Sequence, residues 1–441
     1  MTVKIAVVGC GYVADHYMET LENHPVLELL GVTDKDASRA QILHDYYGVP
    51  VYGSLDDVLS DPKVQVVVNL TDPESHYEVS KAALEAGKHV YSEKPLSVHM
   101  DEARELVQLA KSRGLLLSSA PCSILSEAAQ TLWKAVRDGA VGKVRVVYAE
   151  LDDNPIYLMK PEGWSNERGV PWPYLNEYET GCTLEHAGYY LTWLCAMFGP
   201  AKSITAFSSC VVPDKTQLPL SPPDTPDLSI ACIQFHSGVV ARLTCSIVAP
   251  YDHRLRIVGD EGVLGVDECW HYGTPVYLER FSQLSLNARK ARSVRGNSFM
   301  QNLFGVGGRQ QILVKKPLPN LAKRWAELMS GKRSPVRAAV KALSKNELVS
   351  MDFFRGVAEM AYAIEGRRNL LLSADFVLHV NELTLAMQSA GTEGKPYEIT
   401  TTFAPLTPLP STVSSPITYG EVKQGFMTSM VEAMIAKLHR H

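Results

Sequence analysis

Over its first 120 positions the chain alternates short aliphatic runs with stretches of helical periodicity. KIAVVG (4–9), LELLGVTD (27–34), VQVVVNLT (64–71), HVYSE (89–93) and GLLLSSA (114–120) read as strands. Their apolar positions are nearly continuous, as in strands covered on both faces, so the pattern predicts βαβ units and a doubly wound parallel sheet. Helical periodicity fills the gaps at Ala14–Asn23, Ala37–Tyr47, His76–Ala86 and Met100–Ser112, and Leu125–Arg137 adds a further helix closed by the DGAVGK turn.

From about Val144 the grammar changes. VRVVYAEL (144–151), SITAFSSCVV (203–212), LSIACIQF (228–235), VVARLTCSIV (239–248) and HRLRIVG (253–259) follow one another with turn signals between them. They predict an open, mainly antiparallel sheet with helices to one side, an α+β domain. A helix is expected from about Cys182 to Phe198, a basic helical stretch over 318–348 and a helix pair over 352–390. Residues 403–420 are rich in Pro, Thr and Ser and predict an extended arm before a final amphipathic helix. The expected division is 1–122, 123–402 and 403–441, an α/β domain, an α+β domain with its 182–198 helix at the active site and its 352–390 helices packing back, and an appendage.

Composition narrows the classes. With 46% hydrophobic and 21% charged residues the chain is globular, and 441 residues supply a core for each domain. Lys+Arg 43 against Asp+Glu 48 gives a net charge of −5, which argues against nucleic acid as a partner. No apolar run reaches the roughly 18 residues of a membrane-spanning helix. The first apolar run enters a glycine loop instead of a cleavage site, and the eight scattered cysteines contain no C-x-x-C pair. Neither a metal site nor a disulfide framework is expected, and the cytoplasm is the expected compartment.

The first candidate site is the loop Gly9-Cys10-Gly11-Tyr12-Val13-Ala14, between the opening strand and the first helix. Gly9 permits the tight turn, Gly11 lets a pyrophosphate approach the backbone, and Ala14 keeps the helix close to the strand. Asp34, at the end of the second strand, is placed to accept both ribose hydroxyls and to repel a 2′-phosphate. NAD is therefore expected over NADP, although Lys35 next door weakens the preference. The second candidate is Glu93-Lys94-Pro95 at the end of a strand. By itself it reads either as an exposed turn or as a lysine poised to exchange a proton with a hydroxyl or carbonyl, with Glu93 holding the ammonium or the chain.

The glycine loop, LTDPESH (70–76), AALEAGKHVYSEKPLS (82–97), DGAVGKV (138–144) and LRIVGDEGVLGV (255–266) together resemble the glucose–fructose oxidoreductase / inositol dehydrogenase / rhizopine catabolism (Gfo/Idh/MocA) family. The resemblance implies a nicotinamide cofactor on an N-terminal Rossmann domain and a C-terminal α+β domain whose open sheet forms a homodimer or homotetramer. It also implies sugar, sugar-derivative or inositol substrates. It sets Tyr12, Val13, Thr71, His76 and Glu93 along the cofactor with Gly9, Gly11, Asp34 and Lys94, His76 in a structural role. It makes Lys94 the catalytic lysine.

The family's second catalytic cluster, roughly G-x-L-x-D-x-G-x-H, corresponds here to Gly181–Tyr190, with Glu185 at the aspartate position and Tyr189 at the histidine position. An i, i+4 spacing puts the two on one helix face. Tyrosine is the poorer base, with a reference pKa near about 10. His186 either replaces the missing histidine or is a buried polar residue, and Glu185/Tyr189 are either catalytic or a structural pair. The stretch from Asp152 to Tyr178 carries Trp164 and Trp172 beside Lys160 and Arg168. It is either a pinned loop or a substrate wall, where rings stack on sugar faces and the cations hold an anionic substituent. An acidic or sulfonated sugar follows from the second option.

Three functions remain open on the sequence. NAD-dependent oxidation of a sugar or polyol leads, redox-neutral glycoside cleavage through transient oxidation comes next, and a non-enzymatic sugar sensor is disfavoured by the retained Lys94.

Overall fold

The computed structural model describes residues 2–314, 351–389 and 395–420, together with 426–427, 429–430 and 433–434. The basic stretch 318–348 and most of the final amphipathic stretch lie outside the described residues.

Strands β1 (Val3–Val8), β2 (Leu27–Thr33), β3 (Val66–Asn69), β4 (His89–Ser92) and β5 (Leu117–Ser119) form a five-stranded sheet in the order β2-β1-β3-β4-β5. Every pairing in it is parallel. The strand order reverses between β1 and β3, which opens a crevice beyond their carboxyl ends where open α/β sheets bind ligands. Helices α1 (Tyr12–Thr20), α2 (Ala37–Tyr47), α3 (Leu55–Ser60), α4 (His76–Glu85) and α5 (Met100–Ser112) cover the sheet. Helix α2 starts where the Asp36 carboxylate accepts from the Ser38 amide (3.0 Å) and stops at Gly48, left-handed at φ +70°.

One face of this sheet is completed from far downstream. Helix Arg355–Ile364 packs Phe354, Val357, Met360 and Ala361 into the same core as Ile5, Tyr17, Val66 and Tyr91. A Cβ at Gly356 would lie 2.3 Å from the Tyr91 hydroxyl, so only glycine lets the helix approach this closely. Each fully buried side chain of this kind stabilises by roughly 1.5–3 kcal/mol. The first layer is therefore not built from residues 1–122 alone.

The second sheet has nine strands: β6 (Val144–Asp152), β7 (Ala201–Ser209), β8 (Leu228–Phe235), β9 (Val240–Ser246), β10 (Leu255–Gly259), β11 (Gly262–Val266), β12 (Val276–Arg280), β13 (Gln310–Ile312) and β14 (Tyr397–Glu398). Their order is β13-β12-β11-β10-β6-β9-β8-β7-β14. The pairing of β6 with β9 is parallel and all others are antiparallel. Burial alternates along β8, where Ala231 and Ile233 face the core and Ile230 faces out. On the packed side lie α6 (Glu127–Arg137), α7 (Tyr174–Thr180), α8 (Gly188–Phe198) and the long helix Ala374–Ser389. The arm runs back over its own chain: Phe403 is buried edge-on to Phe376, with ring centroids 5.0 Å apart, and the Leu409 amide donates to Gln130 Oε1 at 2.7 Å. Among the described residues no helix is long and apolar enough to cross a membrane.

Candidate active site

A cleft of about 980 Å³ runs from the β1–α1 loop to the wall of the second domain. At its nucleotide end Gly9 has φ +99°, and a Cβ there would lie 2.5 Å from the Leu70 carbonyl carbon. Gly11 caps α1 without a side chain, and a Cβ on it would project into open space. The first amide groups of α1 thus face an unobstructed hollow, the cradle a pyrophosphate requires. Asp34 stands at the end of β2, its carboxylate accepting from the amides of Cys10 (2.6 Å) and Asp36 (2.8 Å). Tyr12, Val13 and Thr71 line the same end. These residues fit a dinucleotide.

His76 lines the cleft but is a brace. Its ring nitrogens lie 2.7 Å from the Pro95 carbonyl oxygen and 3.1 Å from that of Thr71, tying the loops after β3 and β4, and burial pushes its pKa down. Glu93 secures the chain and not the ammonium. It accepts from the Tyr17 hydroxyl (2.6 Å) and from the Lys94 amide (3.0 Å). Lys94 is free to extend into the cleft, where its ammonium is hydrogen-bonded to Glu185 Oε2. Burial works to lower the Lys94 pKa, but Glu185, Glu177 and Tyr189 outweigh it and hold the ammonium above its ordinary value.

Glu185 lies in one turn of π-helix, Thr183–Ala187, which runs into α8. Such turns are rare inside helices and recur at functional sites. Glu185 and Tyr189 both line the cleft. Burial pushes the Tyr189 hydroxyl well up, although Lys94 opposes it, so the phenol keeps its proton. His186 also lines the cleft, with Nδ1 buried and unpartnered, and burial, aided by Lys94, lowers its pKa to about 3. It is neutral, and a weak base in place of histidine's usual one.

Trp164 and Trp172 form a wall, their ring centroids 5.0 Å apart. The two cations expected beside them are elsewhere. Arg168 lays its guanidinium over the Tyr46 ring (3.6 Å), reaches Asp15 (3.4 Å) and donates to the Tyr47 hydroxyl (3.0 Å). Lys160 is exposed and outside the cleft lining. The loop is therefore both pinned and a wall, and the reasoning toward an acidic or sulfonated sugar falls with its cations.

The sequence reading missed Asp153, Glu177 and Trp270, all of which line the cleft. Asp153 is pushed up to about 6 by burial. Glu177 sits inside the aromatic stretch, eight residues before Glu185, and only the shared turn at Gly181 links them. Trp270 is backed by His253, at 4.4 Å between ring centroids. The ligand atoms of His253, Glu268 and Cys269 lie within 4.8 Å of one another. The Glu268 carboxylate already accepts from Tyr251 and from the Cys269 and Trp270 amides, so this cluster reads as a brace behind Trp270.

Residues 3–120 match the oxidoreductase family with an NAD-binding Rossmann fold, and residues 129–265 match the GFO/IDH/MocA C-terminal domain. Trans-1,2-dihydrobenzene-1,2-diol dehydrogenase of Bos taurus is 27% identical over 276 residues, 61% of this chain and 76% of that protein. An oxidoreductase from Agrobacterium radiobacter, solved with NAD+, L-tartaric acid and magnesium, superposes with a TM-score of 0.65 at 13% identity, covering 90% of this chain and 99% of the other. The aldose-aldose oxidoreductase of Caulobacter crescentus, complexed with glycerol, gives 0.64 at 18% identity over 90% and 100%. With its NAD(P)-binding Rossmann domain, its C-terminal domain and Lys94 at the mouth of β4, the chain belongs to the Gfo/Idh/MocA oxidoreductase family.

Proposed function

We propose that the protein is an NAD-dependent dehydrogenase of a neutral sugar, sugar derivative or inositol. The observation that carries this reading is the Lys94 ammonium, hydrogen-bonded to Glu185 in a cleft continuous with the glycine loop. When bound, the nicotinamide accepts or returns the hydride. Lys94 moves the proton at the reacting oxygen: it donates to a carbonyl in reduction, and in oxidation it first yields its proton to Glu185 and then takes the hydroxyl's. Tyr189, which keeps its proton, donates a hydrogen bond to the same oxygen. Trp164 and Trp172 offer faces to a sugar ring. Apart from Lys94, the cations in the lining are Lys35 and Arg39 beside Asp34, at the nucleotide end. That distribution supports an uncharged substrate. Asp34 supports NAD over NADP.

The test is reduction of NAD+ by a panel of neutral, amino and acidic sugars and inositols, with aryl glycosides in parallel. Stoichiometric NADH from neutral polyols is expected. Release of aglycone that requires NAD+ but leaves no NADH would overturn the reading in favour of redox-neutral glycoside cleavage.

A further inference from the structure

A second carboxyl stands behind Glu185. Glu177, on α7, lines the same cleft and faces Glu185. The backbone brings the two residues together. The Glu177 carbonyl accepts from the Gly181 amide (3.0 Å), and the Gly181 carbonyl accepts from the Glu185 amide (3.1 Å). Gly181 itself has φ +94°, and a Cβ there would lie 2.5 Å from Thr225 Cγ2, so the bend between α7 and the π-turn is fixed by conformation and by packing.

The charged and titratable groups facing Glu177 are Glu185 from the π-turn, Lys94 from the end of β4, Asp153 from beyond β6 and Tyr12 from α1. One cation stands among acids. Burial, then the Glu185 charge, pushes the Glu177 carboxyl well above the carboxylate range. A carboxyl pushed up in this way keeps its proton at neutral pH, so Glu177 brings one proton to the pair. Glu177 is half-buried whereas Glu185 is buried, so of the two carboxyls Glu177 is the one that reaches solvent.

We propose that Glu177 is the proton outlet of the site, a positioning residue that acts on Lys94 through Glu185. This rests on the dehydrogenase reading and extends it. In oxidation Lys94 passes one proton to the Glu185 carboxylate and then, as a neutral amine, takes the proton of the reacting hydroxyl. The carboxyl pair, now carrying two protons, loses one to solvent through Glu177. Only N–H and O–H bonds change on the protein, and one proton leaves for each hydride transferred.

Glu177→Gln preserves size and hydrogen bonding but has no acidic proton. At neutral pH its kcat for oxidation is expected to fall at least about tenfold, with polyol KM and cofactor affinity within about twofold of the parent. Added formate is expected to restore kcat in proportion to its concentration and to leave the parent unchanged. An unchanged kcat, or a loss that formate does not restore, overturns the outlet. Infrared difference spectra of parent against variant, without substrate, are expected to contain a protonated-carboxyl band at neutral pH. Its absence overturns the proton on Glu177 irrespective of turnover. If the parent oxidises no polyol, the dehydrogenase reading fails, and the infrared band still decides the carboxyl pair.

Discussion

Arg168 covers the ring of Tyr46 at 3.6 Å, joining a loop that follows β6 to the end of α2 in the nucleotide-binding half. Its side chain is 9% exposed and that of its partner Asp15 is 3% exposed, so the contact is a closed one. The same loop contributes Trp164 and Trp172 to the cleft and sends the Asn166 amide to the Tyr12 carbonyl at 3.3 Å, beside the glycine loop. Arg168 thereby holds the Trp164–Trp172 wall over the glycine loop from outside the cleft lining.

Arg168→Ala leaves Asp15 buried beside the Tyr47 hydroxyl with no cation. Loss of stability on the order of 3 kcal/mol is expected, together with weaker NADH binding because the loop is no longer anchored. Denaturant melts and NADH fluorescence titration check both. A variant of parental stability would mean that the rest of the loop suffices.

On the proposed function Lys94 exchanges the substrate proton, and Lys94→Ala removes that group. Its kcat is expected to drop about 10²–10⁴-fold while NADH affinity stays near that of the parent, since the glycine loop and Asp34 are untouched. Steady-state kinetics beside fluorescence titration separate the two effects. Retained turnover would transfer the proton role to another residue.

Asp34→Ser takes away the carboxylate that accepts from the Cys10 and Asp36 amides. The expected outcome is a rise of about tenfold or more in the NADP:NAD ratio of kcat/KM, as Lys35 and Arg39 no longer compete with a fixed negative charge. Initial rates with the two cofactors measure it, and an unchanged ratio would place the discrimination outside this carboxylate.

Glu359 gives the pH dependence of stability a sign. It is fully buried in the helix Arg355–Ile364, and burial pushes its carboxyl up to about 7, although the Leu371 amide (2.7 Å) pulls the other way. The unfolded chain ionises this group at the ordinary value, whereas the folded chain keeps the proton until about pH 7. Stability from this residue therefore falls as pH rises from the ordinary carboxylate range to about 7 and is level above it. Glu359→Gln is expected to flatten that decline by on the order of 2 kcal/mol, read from urea melts across the window. Parallel slopes in parent and variant would show that Glu359 ionises freely in the fold.

The pattern of apolar residues was enough to locate α2 and α5 to the residue, because Met100–Ser112 repeats its buried positions Ala103, Leu106, Val107 and Ala110 with helical spacing. The glycine loop was legible from local context, a strand end followed by a turn, whereas the residues around Lys94 left an exposed turn open and only the family resemblance singled the lysine out. Lys160 and Arg168 were not legible, since a cation's partner is a matter of tertiary placement and Arg168 found its partners on α1 and α2. Glu177 was hidden for a related reason. Only the left-handed turn at Gly181 brings it to Glu185, and no hydrophobic periodicity records that bend.

The seam between Gly356 and Tyr91 also has a temporal meaning. Synthesis delivers all five strands of the first sheet by Ser119, but the helix that closes one face arrives more than two hundred residues later. Until then the face that carries Tyr91, Val66 and Ile5 has only the Tyr17 and Met18 side of α1 and the Ala40 and Leu43 side of α2 to cover it, and the nascent nucleotide-binding half exposes part of an apolar face of the kind that chaperones shield. The first sheet thus matures only once residue 364 has been made, and a chain interrupted before residue 355 has its glycine loop in place on an unfinished scaffold.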